Sequence, residues 1–114
     1  MPSNPVDTVL RDILHHIDLA TSFAAGFDGD TFKRDIKTIY AVTRCLEIIS
    51  EASRRLPDDL KKRHASIAWK QMAGAGNIYR HDYEDVAAEF VWETVQRALP
   101  PLRIAIEAEL EADD

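Results

Sequence analysis

The chain has a single cysteine, Cys45, which rules out an internal disulfide and a cysteine-built zinc site within one copy. Such sparing use of thiols fits a reducing compartment, and a cytoplasmic location is expected. No apolar run approaches the ~20 residues that a membrane span requires, so no membrane association is expected. The stretch Met1 to Thr8 shows neither the basic nor the apolar part of a secretion signal. Glycine and proline are scarce, at four and five residues, which excludes collagen-like and low-complexity sequence. Basic charge is in short supply as well, with 14 Lys and Arg against 20 Asp and Glu and a net charge of −6. Domains that hold nucleic acid by electrostatics are usually basic. Stable passive binding is therefore disfavoured, and only transient engagement through a local basic patch is compatible.

What is present is ordinary globular composition, 46% hydrophobic and 30% charged over 114 residues. That length supports one domain, 1–114, able to bury roughly two thirds of its unfolded surface. The acidic excess collects at the C-terminus, where Glu107, Glu109, Glu111, Asp113 and Asp114 meet only Arg103. The densest basic run is Arg54, Arg55, Lys61, Lys62, Arg63 and His64. Both read as solvated helix ends.

Helical periodicity runs throughout. Val6, Val9, Leu10, Ile13, Ile17, Ala20 and Ala24 recur at steps of three and four and predict a helix from Pro5 to Ala25, ended by Gly26. The turn 27–30 follows. Its Asp28 and Asp30 lack the further ligands of a calcium loop, and Asp30 reads as an N-cap. A second helix is predicted from Thr31 to Leu56, with Phe32, Ile36, Ile39, Val42, Leu46, Ile49 and Leu56 on one broad face and Pro57 as its stop. Tyr40, Arg44, Glu47 and Glu51 line the edge of that face. They read either as surface pairs worth a few tenths of a kcal/mol each or as a half-buried network that orients a site.

A polar link with one helical turn, Pro57 to Ser66, leads to a third helix from about Ala68 to Tyr79 or His81, weakened by Gly74 and Gly76. The last helical stretch, Val86 to Ala112, carries the seam Ala88, Val91, Trp92, Val95, Leu99, Leu102, Ile106 and Leu110. Pro100-Pro101 should kink or split it. No segment alternates with period two. The fold class is all-α, an antiparallel up-and-down bundle of four to five helices.

Reactive groups concentrate in one stretch, residues 74–85. Its Gly-x-Gly start follows a helix and lacks the third glycine of a dinucleotide site, and no Gly-Lys-Ser/Thr follows. Histidines do not stand at zinc-ligand spacing, so no metal is expected, and His15 reads as structural. No serine or cysteine stands in a nucleophile turn. His81 remains as a general acid or base titrating near neutrality, with Asn77, Arg80, Asp82 and Tyr83 beside it.

At this point the residues resemble a known family. Arg44 through Ala52, Arg55-Leu56-Pro57, Ile67 through Gly74, Asn77, His81-x-Tyr83, Val91 through Val95 and Leu99 through Leu102 are similar, in order, to HepT-like members of the HEPN superfamily. The resemblance implies a HEPN-like bundle that forms a homodimer or larger assembly. It implies the toxin half of a prokaryotic toxin–antitoxin pair, a metal-independent RNA endonuclease needing no cofactor and engaging RNA transiently. The implied partner is a minimal nucleotidyltransferase antitoxin that attaches AMP to Tyr83. His81 is the implied acid/base, with Asn77, Arg44, Glu47 and Glu51 as orienting groups.

One position departs from the pattern. The arginine expected directly before the asparagine is Gly76. Attack by a 2′-hydroxyl on phosphorus builds negative charge that an arginine would stabilise, and losing such a donor typically costs ~10²–10³ in rate. Arg80 is the nearest surrogate, with Arg44 a second. The alternative reading is a catalytically degenerate binding module that docks the nucleotidyltransferase or binds a nucleotide. A third is a helical accessory domain of a nucleotidyltransferase acting on small molecules.

Overall fold

The structure, a computed structural model, describes residues 5–74 and 84–112, with side chains from Ala88 onward in the second part. The elements are α1 (Pro5–Ala24), α2 (Gly29–Lys33), α3 (Ile36–Ser53), α4 (Asp58–Arg63), α5 (described over residues 69–74), α6 (Glu84–Glu93), a π-helical turn (Thr94–Ala98) and α7 (Leu99–Ala112). All described regular structure is helical, as the periodicity predicts.

The core forms where α1 packs on α3 and on α7. Leu10, Ile13, Ile17 and Ala20 of α1 meet Val42, Leu46 and Ile49 of α3 and Leu102 and Ile106 of α7, all essentially inaccessible to water. At steps of three and four these side chains share one stripe per helix, so burying them needs nothing beyond laying the stripes together. Gly26 ends the first hairpin with φ +85°, the left-handed conformation that glycine adopts without penalty.

The predicted second helix is broken. It is two helices, α2 and α3, parted at Arg34-Asp35. The physical cause is a repeated cap, Asp-x-x-Thr. The Asp28 carboxylate accepts from the Thr31 backbone N–H at 2.8 Å, and the Thr31 hydroxyl accepts from the Asp28 N–H at 2.9 Å. Asp35 accepts from the Thr38 N–H at 3.1 Å. Each Asp satisfies backbone donors at a helix start. Asp28, and not Asp30, is therefore the cap of α2. The break also removes Ile36 from the core face: it is 56% exposed. Phe32 by contrast is wholly buried, with its ring centroid 5.2 Å from that of Trp92 and 6.4 Å from that of Phe27. It is how α2 attaches to α6.

The last stretch is divided into α6, a π turn and α7, with the double proline just past the π turn. Pro100 and Pro101 stand in the first turn of α7, where a missing N–H costs little. Just upstream, the carbonyls of Gln96 and Arg97 lose their α-helical donors, and the chain widens into a π turn closed by the Leu99 N–H on the Thr94 carbonyl. The predicted seam from Ala88 to Leu110 is covered within the single chain, Trp92 alone remaining partly exposed.

Candidate functional site

Residues 75–83 carry Gly76, Asn77, Arg80, His81 and Tyr83, and these candidates lie outside the described residues. What the structure does place is the frame on either side of them: α5 up to Gly74 and α6 from Glu84.

The described part of α5 is held at two points. At its start, the Trp69 indole N–H donates to the carbonyls of Lys61 and His64, at 3.1 and 3.0 Å. These belong to the last turn and C-cap of α4, where each carbonyl otherwise accepts only a turn-type bond, from the His64 N–H at 3.2 Å and the Ile67 N–H at 3.1 Å. Further along, the Ala73 carbonyl accepts from three donors. The Ser50 hydroxyl lies at 2.9 Å, and Arg54 Nε and Nη2 lie at 3.1 and 2.7 Å. Ser50 is buried, on the core side of α3, and Arg54 follows it by one helical turn. Glu51 Oε2 stands 3.6 Å from Arg54 Nη1.

Of the candidate stripe on α3, Tyr40, Arg44 and Glu51 are exposed and Glu47 is half-buried. The structure thus brings Glu51 to Arg54, and Arg54 to the Ala73 carbonyl of α5. Arg54 was legible only as one member of a basic run, and Ser50 only as part of a family-like segment. The signal available for both was a serine on an otherwise apolar face with arginine at i+4.

The basic run itself is divided among acidic and carbonyl partners. Arg55 Nη2 lies 4.0 Å from Asp12. Arg63 Nε donates to Glu109 Oε1 at 3.2 Å, its Nη2 binds the same oxygen, and its Nη1 is 3.4 Å from Asp59. His64 Nε2 approaches the other Glu109 oxygen at 3.3 Å. The side chain of Glu109 is 11% exposed, and the Arg63 guanidinium holds its carboxyl below the usual range. Glu109 is therefore a half-buried strut between α7 and α4, not a solvated tail carboxylate; Glu107, paired with Arg103 at 3.3 Å, fits the surface reading.

A groove of about 370 Å³ runs between α5 and the π turn, lined by Ile67, Met72, Phe90 and Thr94 among others. Among the described residues no group of three or more His, Cys, Asp or Glu could hold a metal ion. None of the described helices is long and apolar enough to cross a membrane.

The family model described as "Ribonuclease HepT-like" matches residues 13–109, from the core of α1 through α7 and across the undescribed segment. The chain belongs to the HepT-like ribonuclease family. A protein of Thermococcus cleftensis named "Probable ribonuclease HepT" is 38% identical over 94 residues, 82% of this chain and 86% of that one. Two proteins of Methanocaldococcus jannaschii, whose names carry RNase as a provisional assignment, are similar over nine tenths of this chain. One is 33% identical and is covered over 89% of its length; the other is 32% identical and covered over 85%. No solved structure gives a significant match.

Proposed function

We propose that this HepT-like chain is an RNA endonuclease and the toxin component of a prokaryotic toxin–antitoxin pair, its activity weakened at Gly76. The observation that carries the reading is the family match across 13–109, which spans Asn77, His81 and Tyr83. In this reading His81 takes the proton from a ribose 2′-hydroxyl. The 2′-oxygen bonds to phosphorus, the bond to the 5′-oxygen breaks, and that oxygen leaves with a proton. The products are a 2′,3′-cyclic phosphate and a 5′-hydroxyl, and no metal takes part. Arg80 is the surrogate for the charge-stabilising arginine, Asn77 an orienting group, and Tyr83 the acceptor of AMP from a minimal nucleotidyltransferase antitoxin.

A homodimer would bring two copies of His81 to one composite cleft. Ile36 and Tyr40, 56% and 64% exposed one turn apart on α3, support a self-association surface there. The net charge of −6 fits brief contact with RNA and not retention of it.

The test is degradation of RNA by the wild-type protein beside His81→Ala and Gly76→Arg. Gly76→Arg returns a guanidinium able to hold a phosphate by two hydrogen bonds. It should raise cleavage by about 10²-fold, and the gain should vanish when His81→Ala is added. Equal cleavage by wild type and His81→Ala would overturn the assignment. A second reading is favoured by Gly76 itself: a degenerate module that docks the nucleotidyltransferase or binds a nucleotide. It predicts an inactive wild type that still binds its partner.

A further inference from the structure

We infer that Lys37 and Arg44 of two associated copies form one phosphate-binding strip, so that RNA contact and self-association strengthen each other. The inference rests on the ribonuclease and homodimer readings. Lys37, Tyr40 and Arg44 follow one another at steps of three and four on α3. With Ile36 they span about 100° of the helix surface, so the four lie on one face. All four are exposed, whereas Val42, on the opposite side of the helix, is wholly buried. Lys37 and Arg44 stand ~10.5 Å apart along the helix axis.

Among the described residues, neither cation has a carboxylate partner. Their neighbours in sequence do: Lys33 is held by Glu89 at 3.5 Å and Arg54 by Glu51 at 3.6 Å. Glu51 is thereby engaged, and Asp35 is engaged in capping α3. Glu47, one turn from Arg44, is half-buried and makes no ion pair with it. The same face carries the exposed pair Ile36 and Tyr40, which a second copy would cover. Any two-fold contact through this face gathers Lys37 and Arg44 of one copy with those of the other. Like charges brought together across an interface oppose association. A polyanion laid between them removes that opposition. The net charge of −6 means that long-range attraction cannot gather RNA, so a local cluster of cations has to supply the contact. One copy offers only Lys37 and Arg44 on this face, and pairing doubles them. Linkage then makes the effect reciprocal: whatever RNA adds to association, association adds to RNA binding.

The experiment uses the full chain and a short oligouridylate with 2′-O-methyl riboses, which keeps the phosphates and lacks the attacking hydroxyl. Wild type is compared with Lys37→Ser and with the double variant Lys37→Ser, Arg44→Ser. Both positions are exposed, and circular dichroism checks that each variant folds. Sedimentation velocity gives the dimer Kd with and without the oligonucleotide, and fluorescence anisotropy gives the RNA affinity from low to high salt. In wild type, RNA should tighten the dimer by about 10-fold. In Lys37→Ser, which removes one contact per copy, the slope of log affinity against log salt should shrink by about 1.4. The double variant should lose the coupling and dimerise as tightly without RNA as with it. A wild-type dimer indifferent to RNA, or an unchanged salt slope in Lys37→Ser, would overturn the inference alone. A chain that stays monomeric even with RNA overturns it together with the homodimer. If wild type cleaves unmodified RNA no faster than His81→Ala, the ribonuclease reading fails, and the binding data still decide whether the strip exists.

Discussion

Glu109→Gln tests a half-buried carboxylate that ties α7 to α4. The substitution keeps the shape and removes the charge. In the wild type, Oε1 accepts two N–H groups from Arg63 and Oε2 faces His64 Nε2 at 3.3 Å. A glutamine oxygen can still accept from Arg63, but without charge assistance, which roughly halves such bonds. Its amide nitrogen then faces the histidine ring without a charge. Bonds to charged groups contribute ~1.5–3 kcal/mol and neutral ones ~0.5–1.5. Allowing for solvent at the partly exposed pair, the loss at pH 7 is about 1 kcal/mol, or ~4 °C in Tm for a domain of this size. The pH dependence is the sharper test. Arg63 lowers the Glu109 carboxyl from its usual value, so folding is favoured by its ionised form. The contribution is complete above the unfolded value of ~4.3 and disappears as pH falls through the lower folded value. Thermal unfolding of both proteins from pH 7.5 to pH 2.5 should therefore show a gap that closes below about pH 4. A gap of equal size at both ends, or none at pH 7, would refute the reasoning.

Two further outcomes follow from packing. Phe32→Ala empties the only wholly buried position of α2 and should cost ~3–5 kcal/mol in urea unfolding, with a change in Trp92 emission. Cys45 is 4% exposed and burial raises its thiol pKa, so a thiol reagent should label it at pH 7 only at the rate of unfolding.

The long elements were legible because their apolar side chains repeat with helical period and their ends carry strong punctuation. Pro5, Gly26 and Pro57 bound what the stripes fill. The break at Arg34-Asp35 was not read, because Phe32, Ile36 and Ile39 keep helical spacing across it. Apolar spacing alone misplaces Ile36, whereas the twice-written Asp-x-x-Thr marks two helix starts. Residues of the candidate site were legible as chemistry, since His81 with Asn77 and Tyr83 is a rare density of polar function. The ties between the described helices were not. Ser50 and Ala73 meet only once α5 is folded back on α3, and Glu109 becomes a strut only when α7 lies beside α4. Such pairings belong to tertiary packing: the serine on an apolar face with arginine at i+4 marks one side of the first, and nothing local names the partner.

Gly26 separates two constraints that usually travel together. A Cβ added there meets nothing within 4 Å, yet the backbone sits at φ +85°. At the level of the first side-chain atom, position 26 therefore limits handedness and not space. A saturation library at this site would rank its survivors by tolerance of the left-handed basin, asparagine and aspartate ahead of alanine, and alanine ahead of valine and isoleucine. The first hairpin of the bundle could then be loosened in graded steps through one backbone angle, with every buried contact between α1 and α3 left as it is.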